Sequence, residues 1–255
     1  MDFADSRVVI TGAAGTFGGW IAQAFASEGA RLCLSDIRAD ALAETAARLN
    51  LDPARTLTHP TDLMQEASIG ALAELVRSRW GAPDIVVNNA GLYPRGPRLI
   101  DLPAEEWDRI MGVNVRAPFL VSCAMARLMI DAGVKGSIVT IGSGAARQMR
   151  ATSVPYCTSK TAVERLSKGL ALELAPHGIR VNVVEPGFAP GSEVSVLPED
   201  YVAKMRARIP LGRTSEPGDA AGAVLYLCSA RAGFITGAVL SVDGGNSIGT
   251  FEPPG

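Results

Sequence analysis

Residues 7–18 read RVVITGAAGTFG, and this stretch decides the fold. Its apolar beginning predicts a strand over 7–11, its three glycines predict a tight turn, and a helix is predicted over 16–28, before Gly29. Such a turn lets the backbone approach a pyrophosphate, which the N–H groups and positive dipole end of the helix can bind. Many glycine-rich turns bind nothing, so this interpretation depends on the elements around it.

Apolar runs alternate with amphipathic stretches along the rest of the chain. Further strands are predicted over 31–35, 55–59, 84–88, 137–141, 180–184 and 239–242. Further helices are predicted over 39–49, 63–80, 104–131, 154–175, 199–208 and 215–229. Near-continuous apolar strands are typical of parallel sheets that are covered on both faces. The sequence therefore predicts an α/β fold, in which residues 1–255 form one Rossmann-type domain with a doubly wound parallel sheet.

Composition excludes several classes of protein. The chain has 255 residues and a formal net charge of −2, and it shows no basic patch that would bind nucleic acid. We expect no membrane association, because the first residues resemble neither a signal peptide nor an anchor and no apolar run approaches roughly 18 residues. Four cysteines without paired spacing indicate free thiols in a reducing compartment, so we expect a cytoplasmic protein. With only two histidines, neither a metal site nor a Ser-His-Asp triad is expected.

Two aspartates follow predicted strands on the side where a nucleotide would bind. Asp36 comes directly after the second strand, where its carboxylate could accept hydrogen bonds from the adenosine ribose hydroxyls. An aspartate in this position is otherwise a turn or helix-cap residue. Asp62 follows the third strand and could contact the adenine amino group or cap the helix that starts at Leu63, and both interpretations stay open.

A second group of residues suggests proton transfer. Tyr156 and Lys160 are four residues apart in a predicted helix, so the phenol and the ammonium share one face. A nearby cation lowers the pKa of a tyrosine from about 10, which would make it a usable acid and base. Ser143 lies just after the strand over 137–141, where its hydroxyl could hold a substrate oxygen. A surface Tyr/Lys pair and an ordinary Gly-Ser-Gly loop remain the alternatives.

Together these residues resemble the short-chain dehydrogenase/reductase family over nearly the whole chain. The motifs that carry the resemblance are the glycine turn of 11–18, Asn88-Asn89-Ala90-Gly91, the set Asn114, Ser143, Tyr156 and Lys160, Pro186-Gly187, and Asp243-Gly244-Gly245. The resemblance implies seven strands in the order 3-2-1-4-5-6-7 and a homotetramer. It implies hydride transfer between NAD (NADH) and a secondary alcohol or ketone of a small molecule.

The resemblance also assigns roles to residues. Tyr156 would be the general acid/base, Ser143 would hydrogen-bond the reacting oxygen, Lys160 would bind the nicotinamide ribose, and Asn114 would hold a water that relays protons. The residues that would bind the cofactor are Gly12, Gly15, Thr16, Phe17, Gly18, Asp36, Ile37, Asp62, Leu63, Asn89, Ala90, Gly91, Tyr156, Lys160, Pro186, Gly187 and Ala189. Asp36 would favour NAD over NADP, although Arg38 lies nearby and could pair with a phosphate.

The sequence departs from the family pattern at two positions. Thr16 stands where the family usually has a glycine, and its hydroxyl is a candidate phosphate contact. Gly191, with Ser192 beside it, stands where the family often has a threonine that contacts the carboxamide. The irregular stretch over 188–208 is expected to be a substrate lid.

Two other functions stay open, and so does the role of four arginines at the predicted mouth, which is the opening through which a substrate would enter. The same frame could carry a nucleotide-retaining epimerase or dehydratase, or a nucleotide-binding regulator without catalysis. Arg95, Arg98, Arg147 and Arg150 flank the predicted mouth and are either anion ligands or ordinary surface arginines.

Overall fold

Seven parallel strands form one sheet in the order β3-β2-β1-β4-β5-β6-β7, as expected. The computed structural model describes residues 3–93, 96–191 and 197–251. The strands are β1 Arg7–Thr11, β2 Arg31–Asp36, β3 Thr56–Pro60, β4 Ile85–Asn88, β5 Ser137–Ile141, β6 Arg180–Pro186 and β7 Val239–Val242. The order reverses between β1 and β4, which is where open α/β sheets bind their ligands.

Helices cover both faces of the sheet. They are α1 Thr16–Ser27, α2 Ala39–Arg48, α3 Glu66–Trp80, α4 Ala104–Met111, α5 Ala117–Asp131, α6 Val154–Leu174, α7 Glu199–Ala207 and α8 Pro217–Cys228. Alternate residues of each strand point to opposite faces, so Val8 and Ile10 join one core while Val9 joins the other. The first core packs against α1, α2 and α8, and the second packs against α3, α5 and α6.

Two predicted boundaries move for local reasons. The helix predicted from Leu63 begins at Glu66, because the Asp62 carboxylate accepts a hydrogen bond from the Met64 N–H and closes a turn first. The sixth strand continues to Pro186, because β7 pairs with it as far as Val242.

The long helix predicted over 104–131 contains a local irregularity. A π-helical turn, Gly112–Arg116, separates α4 from α5. Within the described residues, the stretch Ala104–Asp131 is also long and apolar enough to cross a membrane, since an 18-residue window inside it has a mean hydropathy of 1.4. Its side chains Val121, Met125 and Met129 are buried against the sheet, so it is a core helix of this fold.

Candidate active site

The glycine turn after β1 is shaped by close backbone contacts. Gly12 has a φ of +63°, and a Cβ there would lie 2.7 Å from the Ala90 Cα. The Asn89 amide donates hydrogen bonds to the carbonyls of Thr11 and Gly12, at 3.0 and 2.9 Å. A Cβ at Gly18 would collide with the backbone of Gly12 and Ala13, whereas one at Gly15 would meet only the Gly12 carbonyl, at 3.3 Å. Gly12 and Gly18 are therefore the glycines that this turn requires.

Asp36 is buried at the end of β2 and faces the glycine turn. One carboxylate oxygen, Oδ2, accepts a hydrogen bond from the Ala14 N–H at 3.2 Å. The other, Oδ1, accepts hydrogen bonds from the backbone N–H and the Nε of Arg38, both at 3.1 Å. Asp36 therefore reaches the glycine turn from the end of β2. The Arg38 guanidinium, which the sequence offered as a possible partner of a phosphate, folds back and pairs with Asp36.

The two departures from the family pattern are bonded to each other. The Thr16 hydroxyl donates a hydrogen bond of 2.8 Å to the Gly191 carbonyl oxygen. Gly191 has a φ of +84°, a conformation that a threonine would adopt only with strain. Thr16 therefore contacts the start of the expected lid in this structure. Ser192 and the stretch 192–196 lie outside the described residues.

The motif after β4 brings the nucleotide side and the chemical side together. A Cβ at Gly91 would lie 3.5 Å from Asn114 Oδ1 and 3.6 Å from Lys160 Nζ, so this backbone position borders both groups at van der Waals distance. Leu63 and Ile37 follow β3 and β2 and lie near the same end of the sheet. Ile37 is largely exposed.

Ser143, Tyr156 and Lys160 come together at the carboxyl ends of β5 and β6. Ser143 follows β5, and its hydroxyl lies close enough to the Tyr156 phenol to lower the pKa of that phenol. Tyr156 lies in the first turn of α6, directly after Pro155. The buried Lys160 Nζ lies 5.7 Å from the centre of the Tyr156 ring and donates a hydrogen bond of 2.8 Å to the Ile141 carbonyl.

Burial controls the charge of these side chains. It raises the pKa of Tyr156 to about 12, and the hydrogen bond from Ser143 opposes this effect only in part. Burial also lowers the pKa of Lys160 to about 8. The sequence predicted a lowered pKa for Tyr156, and in this structure the pKa is raised, because loss of solvent outweighs the neighbouring groups. Tyr156 therefore carries its proton at neutral pH.

Asn114 lies in the π-helical turn and is almost completely buried. Its amide accepts a hydrogen bond from the Leu92 N–H and donates one to the Leu92 carbonyl, at 2.8 and 3.0 Å. It also donates to the Ser159 hydroxyl at 2.9 Å. Asn114 thus connects the segment after Gly91 with α6, which carries Tyr156 and Lys160.

The ends of β6 and β7 form the opposite wall. A Cβ at Gly187 would lie 2.9 Å from the Asp243 Cα, so the Pro-Gly and Asp-Gly-Gly motifs pack together. The two Asp243 carboxylate oxygens accept hydrogen bonds from the N–H groups of Gly245 and Ser247. Asp243 therefore holds a turn of the wall, and both of its oxygens are already bonded.

These residues open into one cleft of two adjoining parts. The inner part, about 680 Å³, is lined by several sequence-predicted residues, which are Phe17, Gly91, Ser143, Tyr156, Pro186, Gly187 and Ala189. Tyr201 and Met205 of α7 line both parts, so the described end of the expected lid faces the cleft.

Sequence reasoning missed Tyr93. Its ring packs edge-to-face on the Tyr156 ring, with centroids 4.6 Å apart. The only signal in the sequence was its position two residues after Gly91, in a segment without regular structure. Of the four arginines at the predicted mouth, Arg150 lines the cleft and Arg147 is bound to the buried Glu185 at 2.7 Å. Arg98 is exposed and lines neither part of the cleft, and Arg95 lies outside the described residues.

Comparison with known proteins places this geometry in a family. Residues 12–247 match the profile described as enoyl-(acyl carrier protein) reductase. The chain is 33% identical to the 5-keto-D-gluconate 5-reductase of Escherichia coli K12, covering 95% of each chain. It is 34% identical to the sorbitol dehydrogenase of Cereibacter sphaeroides, covering 93% of this chain and 96% of that one.

Solved structures agree with the fold. The 3-ketoacyl-(acyl-carrier-protein) reductase from Brucella melitensis, complexed with NADH, superposes with a TM-score of 0.85 at 34% identity. The match covers 96% of this chain and 99% of that chain.

Proposed function

The chain belongs to the short-chain dehydrogenase/reductase family, and from this premise we propose that it transfers a hydride between NAD (NADH) and a secondary alcohol or ketone of a small molecule, with Tyr156 as general acid/base. The observation that carries the proposal is the contact of the Ser143 hydroxyl with the Tyr156 phenol inside the cleft. The relatives support substrates of this kind, since their names include a keto acid reductase and a polyol dehydrogenase.

The described residues fit a nicotinamide dinucleotide. No side chain caps the N-terminus of α1 at Gly15, so its first N–H groups are available to a pyrophosphate. Asp36 reaches the same turn, and its carboxylate can accept hydrogen bonds from ribose hydroxyls. A 2′-phosphate would be repelled by this carboxylate, which is why we infer a preference for NAD. When bound, the cofactor supplies or accepts the hydride.

Side chains of the protein itself donate the proton and stabilise the charge that it leaves behind. Tyr156 holds its proton at neutral pH because burial raises its pKa, so it can donate that proton to a ketone oxygen as the oxygen gains negative charge. Ser143 can hydrogen-bond the same oxygen from the end of β5. The Lys160 ammonium, fixed by the Ile141 carbonyl, lies beneath the Tyr156 ring and can stabilise the phenolate that remains.

Other parts of the proposal concern the rest of the molecule. Residues 188–208 act as a lid, in which the described Tyr201 and Met205 already face the cleft. We infer one domain, assembled as a homotetramer and located in the cytoplasm. No nucleic acid, membrane or metal takes part in the proposed reaction.

Tyr156→Phe tests the chemistry. The variant loses the proton donor but keeps the ring that packs on Tyr93, so we expect the kcat to fall by about 10²- to 10⁴-fold while NADH affinity is retained. The measurement is nicotinamide absorbance on a panel of secondary alcohols and ketones, with NADH affinity measured by fluorescence.

The control for this test is Tyr226→Phe, a partly exposed tyrosine of α8 outside the cleft. A Tyr156→Phe variant with wild-type kcat would contradict the assignment. Epimerase or dehydratase chemistry would regenerate the cofactor, so turnover without stoichiometric NADH or NAD formation would argue for those reactions instead. A protein that binds the cofactor but turns over no substrate would be a regulator.

A further inference from the structure

The cleft has an outer part beyond the Ser143–Tyr156 pair. This part has a volume of about 600 Å³ and shares Tyr93, Gln148 and Arg150 with the inner part. A substrate whose reacting carbon lies at Tyr156 would extend into it. The chemistry of the outer part therefore determines what the remote end of the substrate can be.

The described lining of the outer part is positively charged. It contains Arg150 and Arg208 and no aspartate or glutamate. Neither arginine forms an ion pair with any residue that the structure describes. Other arginines near the cleft are neutralised, since Arg147 pairs with Glu185 and Arg109 pairs with Glu106. A positive cleft in a chain with a net charge of −2 favours an anionic ligand.

Arg150 has a defined position relative to the reacting group. Its Nη1 donates a hydrogen bond of 3.3 Å to the Tyr93 hydroxyl, and the Tyr93 ring packs on the Tyr156 ring. Its charge also lowers the pKa of Tyr156, against the larger effect of burial. A guanidinium has five N–H donors, so the bond to Tyr93 leaves donors available for a carboxylate.

We propose that Arg150 and Arg208 bind a carboxylate at the remote end of the substrate, so that the substrates are secondary hydroxy acids and keto acids rather than neutral polyols. This inference rests on the proposed function, because it takes Tyr156 as the position of the reacting oxygen. The carboxylate lies in the outer part of the cleft, one aromatic ring away from the Tyr156 phenol. A neutral substrate would leave both guanidinium charges without an ion-pair partner among the described residues of that part.

The first experiment compares acids with their uncharged amides. The pairs are gluconate with gluconamide, and 4-hydroxycyclohexanecarboxylate with its amide, each oxidised with NAD. We expect the wild type to favour the acids in kcat/KM by about 10- to 100-fold. Arg150→Gln should remove most of this preference, mainly by raising KM for the acids.

Arg206→Gln is the matched control, because Arg206 is exposed on α7, the helix that precedes Arg208, and does not line the cleft. It removes the same formal charge and should keep the preference for acids. The proposal is overturned if the wild type uses amides as well as acids, or if Arg206→Gln loses the preference as fully as Arg150→Gln.

A second measurement does not depend on turnover. Gluconate and cyclohexanecarboxylate are titrated into the protein with NADH present, and calorimetry reports the Kd. The proposal expects at least one carboxylate to bind, and Arg150→Gln to weaken it about 10- to 100-fold. Such binding without oxidation of any alcohol would support the carboxylate site and overturn the proposed reaction. Oxidation of neutral alcohols without binding of either carboxylate would support the reaction and overturn the site.

Discussion

We expect Asp36 to determine the choice between NAD and NADP. Its neighbour Arg38 should affect the same choice, because it pairs with Asp36 in this structure. The pair is formed in this structure, with Arg38 mostly exposed and Asp36 buried. A ribose hydroxyl therefore has to share the carboxylate with a guanidinium, and charge-assisted hydrogen bonds of this kind contribute about 1.5–3 kcal/mol each. Removing Asp36 releases Arg38, which can then pair with a 2′-phosphate.

We expect Asp36→Ala to lower kcat/KM for NAD by about 10- to 100-fold and to raise it for NADP. The measurement is kcat/KM for both cofactors at one salt concentration, because screening weakens the contribution of Arg38. Asp40→Ala is the control, since Asp40 is exposed in the first turn of α2. A wild-type preference for NADP, or the same cofactor ratio in both variants, would show that Asp36 has no such role.

At this scale the sequence predicted which residues would meet but not how they would be charged. Ser143, Tyr156, Lys160 and Asn114 lie together as the motifs indicated. The pKa of Tyr156 is raised because the whole fold removes water from it, and spacing along one helix contains no information on that burial. Likewise the Thr16–Gly191 bond joins positions far apart in sequence, and no local pattern predicts it.

At the scale of elements, α6 and β6 each place a carboxyl group in the space between them. Glu164 lies one turn after Lys160 in α6, and Glu185 is fully buried in β6. Their Oε1 atoms are both buried without a hydrogen-bond partner as carboxylates, and one proton shared between them would satisfy both. Glu185 Oε2 is bound by Arg147 and the Ser241 hydroxyl, so this proton would tie α6 to the loop after Ser143.

Stability should depend on pH through this pair. Burial raises the pKa of Glu164 to about 7, with smaller contributions from Glu185, while Arg147 and Lys168 act in the opposite direction. A raised pKa in the folded state means that the contribution is complete below about pH 4.5 and is lost as the pH rises through about 7. We expect the Tm to fall between pH 5 and pH 8, and Glu164→Gln to reduce that fall.

The control for the pH experiment is Glu173→Gln, which removes an exposed carboxylate from the same helix. It should leave the fall in Tm as it is in the wild type. Identical pH profiles for the wild type and Glu164→Gln would mean that no proton is shared between the two glutamates.

The element boundaries show where local sequence patterns stop being informative. Helix and strand types were predicted correctly, because periodicity and glycine turns follow from local chemistry. The π-helical turn Gly112–Arg116 was missed, since it forms where Asn114 bonds the backbone of Leu92, 22 positions earlier. Such irregular turns are frequent at functional sites and depend on tertiary contacts.

For the whole molecule, several large apolar side chains remain on the surface. Phe119 of α5 and Leu172 of α6 are 43% and 80% exposed. Apolar side chains of this size on neighbouring helices favour an interface between copies of the chain, and closed symmetry makes an even number of copies the expectation. We expect a homotetramer, or a dimer as its building unit, in light scattering at micromolar concentration.

Leu172→Glu should shift this assembly to a smaller species, because a carboxylate in an apolar interface would lose its water. Ile100→Glu is the control, since Ile100 is similarly exposed but lies in the short turn Leu99–Asp101 and on neither α5 nor α6. A wild-type protein that stays monomeric, or a Leu172→Glu variant with unchanged mass, would disprove the expected interface.

The strand order also determines how the molecule can fold during its own synthesis. The half-sheet β3-β2-β1-β4 uses only strands that end by Asn88, so it can pair before β5 has left the ribosome. Translation adds about 5–20 residues per second, so the strands leave the ribosome in chain order. Ser137–Ile141 then adds to the free edge of β4, followed by β6 and β7 in turn. The strand order therefore allows the glycine turn to form before the helix that carries Tyr156 has been made.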